Sequence, residues 1–160
     1  ARMALTGGAP AEAAALARAS LRAVPSPNPH GHALAAHALL ELQRDAEATG
    51  HARAALAASL PHERAERLAL LADALRRQHR WPETEHTLAL GTHLLPSSAD
   101  AHVNHGAALL QLGRRTDATA RFRRALTLLP EQSHNAAGVA ERARRGLGVA
   151  MSTGEVRGSA

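Results

Sequence analysis

Residues Ala99 to Gln132, ADAHVNHGAALLQLGRRTDATARFRRALTLLPEQ, decide the fold. Their first half carries Val103, Gly106, Ala107, Leu109, Leu110 and Leu112 at helical spacing, and their second half carries Ala118, Phe122, Ala125, Leu126 and Leu129. Arg121, Arg123 and Arg124 fall off that second stripe. Ser97 or Ser98 can cap the first helix, with Asp100 in its first turn favouring the helix dipole. Gly113 follows Leu112, where a left-handed closing residue costs glycine least. The connection is too short for anything but an antiparallel return. Pro130 lacks an amide donor and stops the second helix. The stretch reads as a helix hairpin.

Weaker copies lie upstream. Pro25, Pro61, Pro96 and Pro130 recur at intervals of 36, 35 and 34 residues, each closing an apolar-periodic run. Two-helix units at this period stack because no single hairpin can bury its own apolar face. The fold class expected is therefore all-α, an α-solenoid of antiparallel helix hairpins. Residues 1–28 form a partial unit with a helix over 10–24, followed by Pro25–Pro29 as a stiff extended connector. Units follow at 29–64, 65–98 and 99–132. Within them the spacing predicts helices over His32–Gln43, Asp45–Leu60, Glu63–Gln78 and from Pro82 to Leu95. Ala48, Ala52, Ala55 and Leu56 face inward in one second helix, and Leu88, Gly91, Leu94 and Leu95 in the next, with Gly91 allowing close approach of helix axes. Trp81 shields a hinge. Residues 133–152 are either a solvating cap helix or the first half of a further unit, and 153–160 a flexible tail.

Composition agrees with helices. Alanine is the most abundant residue and strand formers are scarce. Phe122 and Trp81 are the only aromatics, so a Leu/Ala core must pack closely. Every basic residue is arginine and isoleucine is absent, the mark of a GC-rich genome; a bacterial source is the expectation. The net charge of +5 comes mostly from the C-terminal half. Single-strand binding adds aromatics for stacking, and they are nearly missing, so a nucleic-acid partner is not expected. There is no cysteine for disulfide, thiol nucleophile or thiolate site. No apolar run approaches the roughly 20 residues that span a bilayer. The Ala-rich start carries Glu12 and Arg18 and is broken by Pro10, a poor signal peptide, and a cytoplasmic location without membrane contact is expected. The chain starts inside a unit and reads as a fragment of something longer.

These residues resemble the tetratricopeptide repeat, with a period of about 34 residues and the pattern W-x₂-L-G-x₂-Y…A-x₃-F…P. Here it becomes His102-x₂-His105-Gly106-x₂-Leu109…Ala118-x₃-Phe122…Pro130. The Gly, Ala, Phe and Pro slots match; histidines stand in the Trp and Leu slots and leucine in the Tyr slot. The preceding unit offers Leu68, Leu71-Ala72, Leu75, Thr84, Leu88 and Pro96, and the one before it His32, Ala35-Ala36, Leu39, Ala48, Ala52 and Pro61.

The resemblance implies a right-handed α-solenoid in which the first helices of the hairpins line a concave groove for a partner segment. It places His37, Glu66, Ala69, Asp73, Arg77, Asp100, Val103, Asn104 and Ala107 there, with Asn104 at the slot of an asparagine that clamps an extended peptide backbone. The lysine and arginine slots of the carboxylate clamp for chaperone C-termini fall on Ala33 and Asn104, which argues against that partner.

Eleven histidines invite a metal reading. His102 and His105, three residues apart on one helix, form a candidate pair, but both sit in packing slots and no third ligand is evident. Neither HExxH, a phosphate-cradling Gly loop nor a G-x-S-x-G elbow occurs. No catalytic residue or cofactor is expected. The functional expectation is a non-catalytic scaffold binding a protein or peptide, with self-association through an exposed end as a further possibility. The alternative is a regulatory or docking segment of a larger enzyme or transcriptional regulator.

Overall fold

The computed structural model describes residues 12, 15, 28–129 and 134–152. The expected helix over 10–24, Pro25, Pro130 and the tail over 153–160 lie outside them, apart from Glu12 and Ala15, which are helical and exposed. Among the described residues every regular element is a helix. In order they are α1 (Pro29–Glu41), α2 (Asp45–Ala57), a single 3₁₀ turn (Pro61–Glu63), α3 (Arg64–Arg77), α4 (Trp81–Leu94), α5 (Ala99–Gln111), α6 (Arg115–Thr127) and α7 (His134–Ser152). Two compact units divide the chain, 1–87 and 88–160, with the boundary inside α4.

The turns between α1 and α2, between α3 and α4, and between α5 and α6 have one construction. Gln43, His79 and Gly113 hold φ of 57°, 56° and 74°. In each turn this residue donates its N–H to the carbonyl three residues back, and the following arginine donates to the carbonyl five back. For the last turn these are Gly113 N to Leu110 O at 3.0 Å and Arg114 N to Leu109 O at 2.9 Å. The otherwise unpaired carbonyls of the helix end are thereby satisfied. Only Gly113 supplies the residue for which this backbone is easy; Gln43 and His79 adopt it at a cost of about 1–2 kcal/mol. Trp81, half-buried, sets its ring edge-on to His79 at 5.7 Å between centroids and so covers that hinge.

The arginine after each turn also grips an acidic residue three positions on. Arg44 Nε and Nη2 donate to Glu47 at 2.6 and 2.7 Å, Arg80 to Glu83 at 2.7 Å, and Arg114 Nε to Asp117 at 2.9 Å. The acid sits in the first turn of the following helix, where the dipole favours it.

Three boundaries differ from the sequence expectation in ways that proline explains. Pro29 opens α1 instead of ending an extended connector, because a proline needs no donor in a first turn and the Asn28 side chain accepts from Gly31 N at 2.7 Å. Helix α2 ends at Ala57, short of Leu60, since Leu60 precedes a proline and is pushed to extended backbone at ψ 157°. Leu60 is left 58% exposed. Helix α4 begins at Trp81, with Pro82 second. Its inward residues also differ: Leu94 and Leu95 are exposed, while Thr84 and Thr87 are buried in the first unit and Thr92 in the second. Each hydroxyl donates to a carbonyl of its own helix, which removes the cost of burying it. A methyl on Gly91 would meet nothing within 4 Å, so no close axial approach occurs there.

The first unit's core joins Ala36, Leu39 and Leu40 of α1 to Ala48, Ala52 and Ala55 of α2 and Leu71, Ala74 and Leu75 of α3. The second gathers Val103 and Leu109 of α5, Ala118, Phe122 and Ala125 of α6, and Ala143 of α7. Phe122 is its one large side chain, 1% exposed. Added methyls on Gly106 and Gly146 would lie 2.9 and 2.4 Å from that ring, so glycine on α5 and on α7 makes the slot that holds it. Helix α7 packs on both α5 and α6. Arg115 fastens its end by donating to Val149 O at 2.7 Å and Ala150 O at 3.2 Å.

Two glycines of α7 should therefore respond oppositely to alanine. Gly138→Ala, with open space around it, is expected to stabilise by up to about 1 kcal/mol through helix propensity. Gly146→Ala is expected to destabilise, the overpacking cost of about 1–3 kcal/mol exceeding that gain. Urea unfolding followed by circular dichroism reads both signs.

Candidate groove faces

In the first unit the sequence assigned His37 of α1 and Glu66, Ala69, Asp73 and Arg77 of α3 to a binding face. His37, Glu66, Ala69 and Arg77 are exposed and Asp73 is half-buried. The charged members are already engaged. Arg76 donates to Asp73, Arg77 Nε lies 3.4 Å from the same carboxylate, and Arg77 Nη1 donates to Leu40 O at 2.9 Å. Arg77 thus satisfies a carbonyl at the end of α1 and ties α1 to α3. His37 and Ala69 make no such contact.

Beside Glu66 lies a network that the sequence reading missed. Arg67 is 5% exposed, with Nη1 3.5 Å from Glu66 Oε1 and Nη2 3.7 Å from Glu63 Oε1. Its Nη2 also donates to His30 Nδ1 at 3.1 Å, and His30 Nε2 faces Glu63 at 3.2 Å. Both contacts are satisfied by the tautomer that carries its proton on Nε2. Glu63 Oε2 accepts from Leu60 N at 3.0 Å. That bond holds the Glu63 carboxyl below its ordinary pKa, outweighing the opposing effect of burial, with His30 and Arg67 adding to the lowering. The spacing of Glu63 and Arg67, one turn apart, was the available sequence signal.

In the second unit, α5 presents Asn104 and Ala107 to solvent, and Asn104 makes no hydrogen bond among the described residues. Val103 is a correction: it is 4% exposed and belongs to the core with Leu109 and Phe122, because α7 packs against α5. Asp100 is exposed but not free, since Arg142 of α7 donates to it. Sequence spacing could not reveal a partner 42 residues away.

His102 and His105 are buried at 5% and 2% exposure. His102 Nε2 donates to Pro96 O at 3.1 Å, and His105 Nδ1 lies 3.4 Å from Thr92 Oγ1. The two rings thus bond to different partners. Among the described residues no group of three or more His, Asp or Glu could hold a metal ion, and no helix is long and apolar enough to cross a membrane.

No family model and no curated protein matches the sequence. Solved structures match the fold. YrrB, a TPR protein with an unusual peptide-binding site, superposes with a TM-score of 0.69 at 21% identity, over 83% of this chain; the chain spans 66% of YrrB. MamA from Desulfovibrio magneticus RS-1 gives 0.73 at 16% identity over 96% of this chain and 92% of its own. The first TPR domain of Spaghetti (RPAP3), bound to the HSP90 peptide SRMEEVD, gives 0.61 at 19% identity over 78% and 96%. These likenesses, all below 25% identity, show the fold: the described residues have the all-helical, tetratricopeptide-repeat-like fold of these structures.

The depressed Glu63 pKa fixes a sign. Its stabilisation is fully present above the ordinary value of 4.5 and is lost as pH falls through the lower folded value. The stability gap between wild type and Glu63→Gln is expected to shrink from about pH 7 to about pH 3 in urea titrations; an unchanged gap would exclude the charge as its cause.

Proposed function

We propose that this chain is a non-catalytic adaptor that binds an extended peptide or a helix of another protein along the first helices of its hairpins. The observation that carries the reading is Asn104: an amide exposed on α5 with its donors and acceptor unused, beside Ala107, which leaves room above the helix. A primary amide can bond both the N–H and the C=O of a passing backbone, which gives affinity without demanding a sequence. In the first unit His37 and Ala69 supply the corresponding accessible surface, while Asp73, Arg76 and Arg77 offer a hydrogen-bonded rim.

Charge separates this reading from recognition of an acidic peptide such as the SRMEEVD to which RPAP3 is bound. The slots that would need cations hold Ala33, which is buried, and Asn104. Asp100, beside Asn104, is already neutralised by Arg142. A partner with a mixed or neutral segment fits better than an acidic tail.

Selection from a random peptide display library tests the reading. Binders are expected to lose roughly tenfold in affinity with Asn104→Ala, or about 1.4 kcal/mol, and with Ala107→Arg, while binding equally to Ala120→Arg on the outer face of α6. Equal loss from all three variants would place the contacts elsewhere.

A further inference from the structure

His32 of α1 and His51 of α2 face each other with Nδ1 atoms 3.0 Å apart, and both side chains are half-buried. Their ring centroids are 5.3 Å apart and their planes tilt by 39°. That separation is what two imidazoles give when the facing nitrogens aim straight at one another. Two rings held by one tetrahedral metal ion at about 2.0–2.1 Å would keep their facing nitrogens about 3.3–3.4 Å apart, farther than the separation here. The geometry is therefore that of an N–H···N hydrogen bond. It requires one ring to carry its proton on Nδ1 and the other to leave Nδ1 bare.

We propose that His32 and His51 form a proton-sharing latch across the α1–α2 hairpin. The bond persists while the pair holds no extra proton, with two tautomers in opposition, or one, with a cationic ring donating to a neutral ring. A second proton places an N–H on both facing atoms, and the bond is replaced by repulsion between two cations inside a partly buried contact.

The surroundings oppose that second proton. Burial holds His51 below the ordinary histidine value, His32 pushes it in the same direction, and Glu47, one turn earlier on α2, pulls against both. Glu47 is itself gripped by Arg44. On α3, Arg67 is turned to His30 and flanked by Glu63 and Glu66. A depressed histidine pKa contributes stability that is present above the ordinary value and is lost as pH falls below it, because the unfolded chain takes up the proton first. The latch lies away from the turn at Gln43, so its release loosens α1, which carries His37, without undoing the closing turn.

Imidazole nitrogen NMR of the full chain across a pH series tests the latch, beside the variants His32→Gln and His51→Gln. The expected results are scalar coupling between the two Nδ1 atoms at neutral pH that vanishes on acidification, and an upward shift of the His51 midpoint in His32→Gln. Wild type is also expected to lose more degrees of melting temperature between neutral and mildly acidic pH than His51→Gln. A His51 midpoint unmoved by His32→Gln, or equal losses in melting temperature, overturns the proposal. Shifts of both nitrogens on adding one equivalent of zinc, reversed by a chelator, would overturn it in favour of a metal pair.

Discussion

Each helix pair closes by turning one residue into left-handed backbone, and the rest of the structure follows from that constraint. Gln43, His79 and Gly113 hand the chain back at the same offset, and the arginine after each returns its N–H to the helix just completed. The same arginine then binds an acid in the next helix, so one residue closes one helix and fastens the start of another. Two of the three turns use residues that do not favour this backbone. Hydrogen bonds to otherwise unpaired carbonyls and packing of the helices against each other compensate for the strain.

Between the turns the core is made of small residues. Ala48, Ala52 and Ala55 on α2, and Ala118 and Ala125 on α6, are fully buried. Alanine contributes little area, so stability depends on close approach and on the few large side chains present. Phe122 concentrates this dependence. Its ring occupies space opened by Gly106 on its own hairpin and by Gly146 on α7, so one side chain couples three helices. Arg115 and the Asp100–Arg142 pair fasten α7 on the polar side of the same contact.

Much of this was legible. Helical spacing around Phe122, Ser98 as a cap and Gly113 as a closing residue depend on neighbours in the chain, and sequence displays neighbours. Thr84 stood at a packing slot of the repeat, but the inward Thr87 and Thr92 of α4 were not legible, because a hydroxyl looks polar until its backbone bond is seen. Val103 was misassigned to a surface because α7, a separate segment, covers it. The resemblance to tetratricopeptide repeats gave the exposed positions of α5 and α3 but not which were already bonded. Asp73, Arg77 and Asp100 each have an internal partner, and two of those contacts join residues 37 and 42 positions apart. Subtracting them, along with Glu66, which faces Arg67, and the buried Val103, leaves His37, Ala69, Asn104 and Ala107 as the unengaged exposed positions. The same long-range blindness hid the His32–His51 contact, since nothing in the spacing of two histidines on different helices announces that their nitrogens meet.

The central functional claim is that the first helix of a hairpin, not the second, meets the partner. Site-specific photo-crosslinking separates them within one unit, using a photoreactive amino acid at Ala107 on α5 or at Ala120 on α6, both exposed alanines. With a selected peptide ligand, the account predicts a covalent adduct from position 107 and none from position 120. An adduct formed from 120 and absent from 107 would contradict it.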